Sequence, residues 1–395
     1  MSKSARGRCS SKPNREKWLE LTAHAAATTI MITRQKIIRS GAVLAALPLA
    51  ARSNATAADS YEAAVKKIRQ PISGPSLSDL ALRKELVRLS ALAPSSHNTQ
   101  CWKFRIEQNG ISILPDLNRR TLVLDPDDHY LFVSLGCALE NLAQASLAFG
   151  LKSEAKFDKS TNSLAVALEP TMALASPLYQ AIIARQCTRN VYDGKPLSSP
   201  ELKLLESAGA CNGGGVVLIT AKPDIEQIVG LALQGNASQL NEAAFIKEFK
   251  QWIRFSAGEA VKTGDGLYSI TSGNPSVPRW LGSRMFDVLV SAESENKKYA
   301  EQIRSSSGIA VFVSDADDKT HWIEAGRCYE RFALQATSMG IRNAVMNGLA
   351  DVPEMRQQLA GILGLKGGRV DMVVRFGHGP LMPSSLRRPM ADILV

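Results

Sequence analysis

The sequence of 395 residues lacks the features of a metal-binding or disulfide-stabilised protein. Its six cysteines form no C-x-x-C pair, and five of them follow the N-terminal segment as an odd, scattered set. Aromatic residues make up only 6% of the chain, but hydrophobic residues make up 45%. The sequence therefore argues against a zinc site or a disulfide framework and has enough apolar residues for a sizeable core.

The net charge of +10 is concentrated at the N-terminus. Residues 1–57 contain ten Lys and Arg residues and two acids, a surplus of eight, which leaves about +2 for residues 58–395. A nucleic-acid-binding protein needs a concentrated basic face, because much of its affinity comes from displacing the counterions around phosphates. No such stretch follows residue 57, so we expect no nucleic-acid partner.

The N-terminal segment has the pattern of a targeting leader. A positively charged stretch at residues 34–39 precedes an apolar run at 41–51, which has signal-peptide length and is too short to span a bilayer. Ala-Thr-Ala at residues 55–57 suits cleavage. We predict a leader at 1–57 and an exported mature chain, periplasmic or extracytoplasmic, with no stable membrane span.

The N-terminal pattern is compatible with more than one export route. Residues 33–39 resemble a twin-arginine export signal, but Gln35 stands where the second arginine belongs. Met31 lies just before this stretch and is our expected start of the chain. An ordinary secretory signal and an uncleaved anchor are the alternatives, and a signal without function would leave the chain cytoplasmic.

Turn residues and apolar periodicity divide the remaining chain into elements. Residues 58–75 contain Pro71, Gly74 and Pro75 and are predicted as a linker. Residues 263–280 are rich in Gly, Ser and Pro, which favours a mobile cover or a disordered loop. The predicted helices cover residues 78–92, 131–149, 177–185, 224–260 and 320–339, and the predicted strands cover 102–107, 111–114, 154–169 (two strands), 216–220, 309–314 and 370–376.

Two helical segments form an internal repeat. Four residues of the first segment recur in the second at one offset of 190 residues: Gly136, Glu140, Ala143 and Gly150 recur as Gly326, Glu330, Ala333 and Gly340. Small residues along both helices would let them pack closely about a pseudo-two-fold axis. The alternative is chance similarity between two alanine-rich helices. The repeat predicts a first half at 76–174 and a second half at 175–395.

The first candidate binding segment is the turn at residues 93–102. Pro94 ends a helix, and Ser95, Asn98 and Gln100 follow within six residues, which makes the turn dense in uncharged donors and acceptors. Such a turn suits a ligand with many carbonyl and ring-nitrogen groups. The alternative is a capped turn in which Asn98 bonds its own backbone. For His97 we favour a local hydrogen bond over catalysis.

The second candidate segment covers residues 185–192. Arg185 and Arg189 flank Cys187 and Thr188, and two guanidinium groups with a hydroxyl can bind a dianion. The alternative is a solvated helix end, where arginine is favoured by the helix dipole.

Together these segments resemble the nitroreductase-like flavoproteins. The turn resembles their P-S-S-x-N-x-Q-P-W signature, with Cys101 in place of the usual Pro, and residues 185–189 resemble their R-R-S-x-R stretch. The resemblance implies FMN as cofactor, contacted by Pro94, Ser95, Asn98 and Gln100 from one half. Arg185, Cys187, Thr188 and Arg189 would contact it from the other half.

The C-terminal half extends the resemblance. Family members place a basic residue near the C-terminus on the FMN phosphate, which here implies Arg387 and Arg388, and a glycine segment near the flavin ring, which implies Gly340. Residues 375–379 and 185–192 resemble the two-in-one Acg-type branch, although Asn190 replaces an arginine of that branch.

Each half of the chain lacks the motif that the other half has. The resemblance therefore implies an α+β, nitroreductase-like fold of two fused halves, a pseudo-dimer with antiparallel sheets flanked by helices, a lid-like insertion at about 230–300 and one FMN site. A fused chain of this kind is expected to be a monomer or a weak oligomer.

The implied activity is that of an oxidoreductase that reduces small flat acceptors, such as nitroaromatics or quinones, through FMN. The alternatives are an FMN storage protein whose lid covers the flavin and a member that has lost its flavin. An exported enzyme would not meet NAD(P)H, so it would need another electron donor.

Overall fold

The structure is a computed structural model that describes residues 47–72, 78–346 and 348–395. The expected signal at 34–39 and most of the apolar run lie outside the described residues. The chain divides into two units, residues 1–57 and 58–395, and the account below concerns the second. Part of the predicted linker at 58–75 is helical, since a helix spans Leu47–Ile68.

The first sheet is antiparallel and begins with the predicted hairpin. The first two strands, β1 (Trp102–Glu107) and β2 (Gly110–Pro115), pair along their whole length, which confirms the hairpin around Asn109-Gly110. The strand order is β1-β2-β4-β3. The four strands are β1 (Trp102–Glu107), β2 (Gly110–Pro115), β3 (Leu151–Asp158) and β4 (Ser163–Pro170).

The second large sheet repeats this topology. Its order is β5-β8-β10-β9, so both sheets place their first, second, fourth and third strands side by side. In each half a long helix connects the second strand to the third: His129–Ala148, the first central helix, and Lys319–Ser338, the second central helix. The strands are β5 (Gly214–Ile219), β8 (Gly308–Ser314), β9 (Arg342–Val345) and β10 (Arg369–Gly377).

The two central helices meet where the repeat places its glycines. A Cβ atom on Gly136 would lie 2.0 Å from the carbonyl oxygen of Ile323, and one on Gly326 would lie 2.0 Å from that of Val133. These two contacts are related by the offset of 190 residues. The backbones therefore touch reciprocally about a pseudo-two-fold axis, at a distance that only glycine permits.

Two buried clusters stabilise the second unit. The larger contains both central helices and the inner faces of both sheets, with Trp102, Phe104 and Phe332 fully buried. The smaller lies on the other face of the second sheet. The first central helix is long and apolar enough to cross a membrane by composition, but 78% of its apolar window is buried in this core. The α+β class predicted from the sequence is confirmed.

An insertion between β5 and β8 distinguishes the second half from the first, where a tight hairpin joins the equivalent strands. Residues 263–280 within it are not one structureless loop, because they include β7 and a 3₁₀ turn at Ser269–Ser272. Elements of two to four residues are too short to produce a periodic sequence pattern. The insertion contains helices Lys222–Leu240, Ala243–Trp252, Ala257–Thr263, Arg279–Leu289 and Ala292–Arg304 and strands β6 (Ile253–Arg254) and β7 (Leu267–Tyr268).

Shorter helices complete the described chain. They are Asp79–Ser90, Pro177–Ala181, Ser199–Ala208, Gly348–Asp351, Pro353–Ile362 and Met390–Ile393. The helix predicted for residues 177–185 is shorter than expected, and the single helix predicted for 224–260 is two helices and further short elements. Propensity and periodicity locate a helix better than they locate its ends.

Candidate functional site

A cavity of about 580 Å³ lies between the central helices and the insertion, and its size is typical of small-molecule sites. The central helices contribute the side chains of Val133, Ser134, Cys137 and Tyr329. The insertion covers the cavity with apolar and aromatic side chains, namely Phe245, Phe249, Ile253, Phe255, Met285, Phe286 and Leu289. The wall is therefore suited to a flat, largely apolar ring system.

The turn at 93–102 reaches the cavity through its first residues. Pro94, Ser95 and His97 line it, whereas Asn98 and Gln100 do not. His97, Asn98 and Gln100 have φ angles of 49°, 54° and 53°, in the left-handed region that non-glycine residues rarely adopt. A backbone with three such residues needs strong support from its neighbours.

Asn98 and Gln100 supply that support instead of facing the cavity. The Asn98 side-chain amide donates to the carbonyl of Gly266 at 2.9 Å, and the Gln100 side-chain amide donates to that of Gly264 at 2.9 Å. The Gln100 side-chain oxygen accepts from the backbone N–H of Arg388 at 2.7 Å. Both amides thus tie the turn to the insertion and the C-terminal segment.

Arg387 and Arg388 also lie behind the turn rather than in the cavity wall. Arg387 donates to the carbonyls of Ala91, Leu92 and Ala93 at 2.9, 2.7 and 2.9 Å, and to the Asn98 side-chain oxygen at 3.1 Å. Burial holds the pKa of its guanidinium well below the usual range. Arg388 forms an ion pair with Asp116 at 3.2 Å. Neither of these predicted phosphate-binding residues lines the cavity.

The segment at 185–192 divides between the core and the cavity. Arg185 is buried, forms an ion pair with Glu330 of the second central helix at 3.0 Å and donates to Leu92 O at 2.9 Å. The backbone N–H of Thr188, which is fully buried, donates to the carbonyl of Asn343 at 2.8 Å. Only Cys187 and Arg189 of this predicted cluster line the cavity.

Three cationic side chains, Arg189, Lys298 and Arg375, line the cavity together with the acidic side chains Glu295 and Asp351. In the described part of the chain the Arg189 guanidinium has no hydrogen-bond or ion-pair partner, and Lys298 donates only to the carbonyl of Ser272 at 3.2 Å. Because none of the three cations is ion-paired among the described residues, they are suited to binding an anion.

Arg375 is fixed by main-chain carbonyls and an aromatic ring. Its guanidinium donates to Gln302 O at 3.2 Å and Asn190 O at 2.8 Å, and lies 4.2 Å from the centroid of Tyr192. The Gln302 side chain donates to Arg189 O at 3.2 Å and so connects the two arginines. The sequence resemblance included Arg375 in a motif without a role, and Lys298 and Gln302 were missed because no motif marks the insertion.

His97 packs against the insertion. Its ring lies 5.1 Å from that of Phe249, and its Nδ1 atom is buried without a partner among the described residues. The predicted local hydrogen bond of the side chain is therefore wrong, because the left-handed backbone turns the ring towards the cavity. Burial, and next the charge of Arg189, lower the pKa of His97 to about 4, so the imidazole is neutral at pH 7.

A carboxyl group lies at another part of the wall. Asp351 accepts hydrogen bonds from the Tyr130 hydroxyl and, at 2.8 Å, from the Gln239 amide. Burial raises its pKa to about 7, against these hydrogen bonds, which lower it. The cavity therefore contains an acid that exchanges a proton near neutral pH.

This raised pKa predicts a pH-dependent stability. Since the folded state favours the protonated carboxyl, the contribution of Asp351 is fully present below about pH 4 and is lost as the pH rises through about 7. We expect the free energy of unfolding of the wild type to fall relative to Asp351→Asn between pH 5 and pH 8. Denaturant titrations at both pH values measure this, with exposed Asp315→Asn as control. A constant difference for Asp351→Asn would contradict the assignment.

Gly340 ends the second central helix with a φ of 75°. It does not line the cavity, but β9 follows directly, and Ala344 and Val345 of β9 do line it. The glycine therefore turns the chain towards the wall without contributing a surface of its own.

A second, smaller pocket of about 180 Å³ lies at the position that the pseudo-two-fold axis relates to the cavity. Val133, Ser134, Cys137 and Tyr329 line the larger cavity, and their repeat equivalents Ile323, Glu324, Arg327 and Leu139 line the smaller one. An ion pair between Glu324 and Arg327 at 3.0 Å occupies the smaller pocket's wall. The insertion covers only the larger cavity, so the two positions are no longer equivalent.

Comparisons with known proteins give similar sequences that extend over most of the chain. No protein-family model matches. A Mycobacterium tuberculosis protein with the provisional name NAD(P)H nitroreductase is 22% identical over 326 residues, which cover 79% of this chain and 90% of the relative. Its counterpart in a second strain matches equally.

Solved structures give weaker overlays. A nitroreductase with bound FMN from Desulfitobacterium hafniense is 13% identical, with a TM-score of 0.35, and the overlay covers 56% of this chain and 98% of that one. An FMN-dependent nitroreductase from Mycobacterium smegmatis in complex with NADPH is 12% identical, with a TM-score of 0.34, covering 51% and 87%.

Proposed function

We propose that this chain is an FMN-binding oxidoreductase of the nitroreductase type, which reduces small flat acceptors such as nitroaromatics or quinones. The observation that supports it is the cavity with aromatic walls and three lining cations, none of which is ion-paired among the described residues. FMN combines a flat ring system with a dianionic phosphate, and these two parts match the two parts of the cavity.

The residues that suit the phosphate are Arg189, Lys298 and Arg375. Arg375 is held by carbonyls, so its orientation is set before a ligand binds, and Gln302 ties Arg189 to it. Such preorganised cations lose little conformational freedom on binding. This assignment replaces Arg185, Arg387 and Arg388 of the sequence-based prediction and keeps Arg189.

The residues that suit the ring lie on both halves. Pro94, Ser95 and neutral His97 come from the first, and Cys187 and β9 come from the second. The apolar insertion excludes water from the space beside the ring, and Asp351 with Tyr130 holds a proton within the same cavity. Bound FMN would supply the two-electron chemistry, so the protein need only bind, orient and exclude water.

The phosphate assignment predicts unequal effects of two substitutions. We expect Arg189→Ala to weaken FMN binding about 10- to 100-fold, because a charged hydrogen bond to the phosphate is lost, and His97→Ala to weaken it less. Flavin fluorescence quenching measures both dissociation constants, with exposed Arg284→Ala as the matched control. Equal affinities of Arg189→Ala and His97→Ala would contradict the assignment.

Storage of FMN is the second candidate function. The contacts of Asn98 with Gly266 and of Gln100 with Gly264 favour this function. They attach the insertion, which covers the cavity, to the turn at residues 93–102. The visible spectrum of the purified chain, recorded before and after addition of NAD(P)H or dithionite, separates the two functions. An enzyme turns over nitro compounds, whereas a store keeps a flavin that NADPH cannot reduce. A colourless protein that ignores added FMN would refute both.

The predicted export determines which electron donors the protein can reach. The leader predicted at residues 1–57 would place the mature chain outside the cytoplasm, where NAD(P)H is absent. We therefore propose a donor other than NAD(P)H for the exported form.

A further inference from the structure

Two of the cysteines, Cys211 and Cys328, lie close together where the second central helix packs against the segment before β5. Cys328 is a fully buried residue of that helix, and Cys211 lies just before β5, where it pairs with Gly214 in an isolated bridge. The Cys328 Sγ atom lies 3.8 Å from the carbonyl oxygen of Ala210, the residue that precedes Cys211. This contact with the preceding residue places the Cys328 thiol beside Cys211, and each thiol shifts the pKa of the other.

The two thiols differ in reactivity. Cys211 is partly exposed, and the hydrogen bond with the Cys328 thiol lowers its pKa, as does the nearby Arg331 guanidinium. Arg331 is held in place by a hydrogen bond to Ala210 O at 2.9 Å. The same contact and burial raise the pKa of Cys328. Cys211 is thus the more accessible and more readily ionised thiol, and Cys328 is the buried thiol beside it.

We propose that Cys211 and Cys328 form a reversible disulfide, and that this pair is a redox-sensitive modification site. The Cys211 thiolate attacks a small-molecule or protein disulfide, forms a mixed disulfide and releases one thiolate. Cys328 then loses its proton and attacks the Cys211 Sγ atom, which releases the second thiolate. The cysteine pair loses two electrons and two protons, and the disulfide that Cys211 attacked takes them up and becomes two thiols.

Two buried cysteines of the described chain, Cys101 and Cys137, do not compete for this bond, and Cys187 lines the cavity. The Sγ atoms of Cys101 and Cys137 contact the carbonyls of Leu131 and Gly326 at 3.9 and 3.2 Å, and both residues are buried. The expectation of no disulfide framework came from spacing along the chain. Spacing cannot reveal a pair that the fold brings together across more than a hundred residues.

The bond would connect the second central helix to the segment that begins the second sheet. Tyr329, the next residue after Cys328, lines the cavity, so the oxidised pair would fix the helix beside the cavity. Because a cross-link between distant residues restricts the unfolded chain, oxidation is expected to raise the melting temperature by several °C.

The test uses the full chain and no flavin, so its outcome is independent of the proposed activity. The reduced protein is incubated with oxidised glutathione, quenched with acid, denatured and titrated for thiols, with peptide mapping of the product. We expect two of the six thiols to disappear, a Cys211–Cys328 peptide pair and a higher melting temperature. The loss should reverse with dithiothreitol.

Substitutions separate this pair from the other cysteines. Cys211→Ser should abolish both the intramolecular disulfide and the rise in melting temperature, and Cys328→Ser should do the same. Cys101→Ser, at a buried cysteine without a thiol partner, should retain both. A bridge between other cysteines, glutathionylation of Cys211 without closure, or six unreacted thiols would overturn the proposal. Since Cys211 is partly exposed, its variant keeps the test decisive if Cys328→Ser fails to fold.

Discussion

Gly326→Ala is expected to destabilise the folded chain by about 3 kcal/mol or more, the upper end of the range for overpacked cores. The new methyl group would lie 2.0 Å from the main-chain oxygen of Val133. A backbone atom cannot move aside as the end of a side chain can. Gly136→Ala should have a similar effect, since its Cβ would meet Ile323 O at the same 2.0 Å. Denaturant unfolding of both variants measures the loss.

Gly230→Ala is the matched control for this result. Gly230 also lies inside a helix, Lys222–Leu240, but nothing lies within 4 Å of its would-be Cβ. That substitution should stabilise the chain by about 0.5–1 kcal/mol, because alanine is the better helix former. If all three variants gained stability, or if Gly136→Ala and Gly326→Ala differed widely, the reciprocal contact would not describe the helix pair.

Arg387→Ala is the second substitution with a large expected effect, roughly 3–5 kcal/mol of destabilisation in the ligand-free chain. It would leave the carbonyls of Ala91, Leu92 and Ala93 without their buried donor and create a cavity. Since Arg387 also bonds Asn98, the strained turn at 97–100 should loosen. Thermal unfolding without flavin measures the effect.

Arg189→Ala provides the contrast to Arg387→Ala. The Arg189 guanidinium has no hydrogen-bond or ion-pair partner among the described residues. The melting temperature of the ligand-free Arg189→Ala variant should therefore change little, while its FMN binding weakens. Arg387→Ala should instead lower the melting temperature before any ligand is added. The opposite pattern, a stable Arg387→Ala variant that has lost only phosphate affinity, would restore the sequence-based role of Arg387.

The elements that could be predicted from the sequence are those with a local or repeated pattern. The hairpin at Asn109-Gly110 depends on neighbouring residues, and both central helices carry a long apolar stripe, so these elements agree with the structure. Gly136 and Gly326 could be recognised as equivalent because the residues of the two central helices repeat at one offset of 190 residues. The ends of helices and the two-residue strands β6 and β7 leave no such pattern.

The candidate site was harder to predict because its residues act through partners that are far away in sequence. Residue type marked Asn98 and Arg387 as ligand-binding groups, yet the structure bonds them to each other, 289 residues apart. An amide or guanidinium has the same chemistry whether its partner is a phosphate or a carbonyl. Lys298 had no motif around it and could be recognised only because the helix of the insertion places it in the wall of the same cavity as Arg189.

The unequal pockets on either side of the central helices affect how the sequence of such a chain can evolve. When two identical subunits assemble, every inherited substitution appears at both copies of a site, and a lid that suits one copy must be tolerated at the other. Here Ser134 and Glu324 are encoded separately, as are Cys137 and Arg327. When both halves are encoded in one gene, one of the two pocket positions can therefore acquire its own substitutions and its own lid. The other position can become filled with side chains and serve only to support the fold.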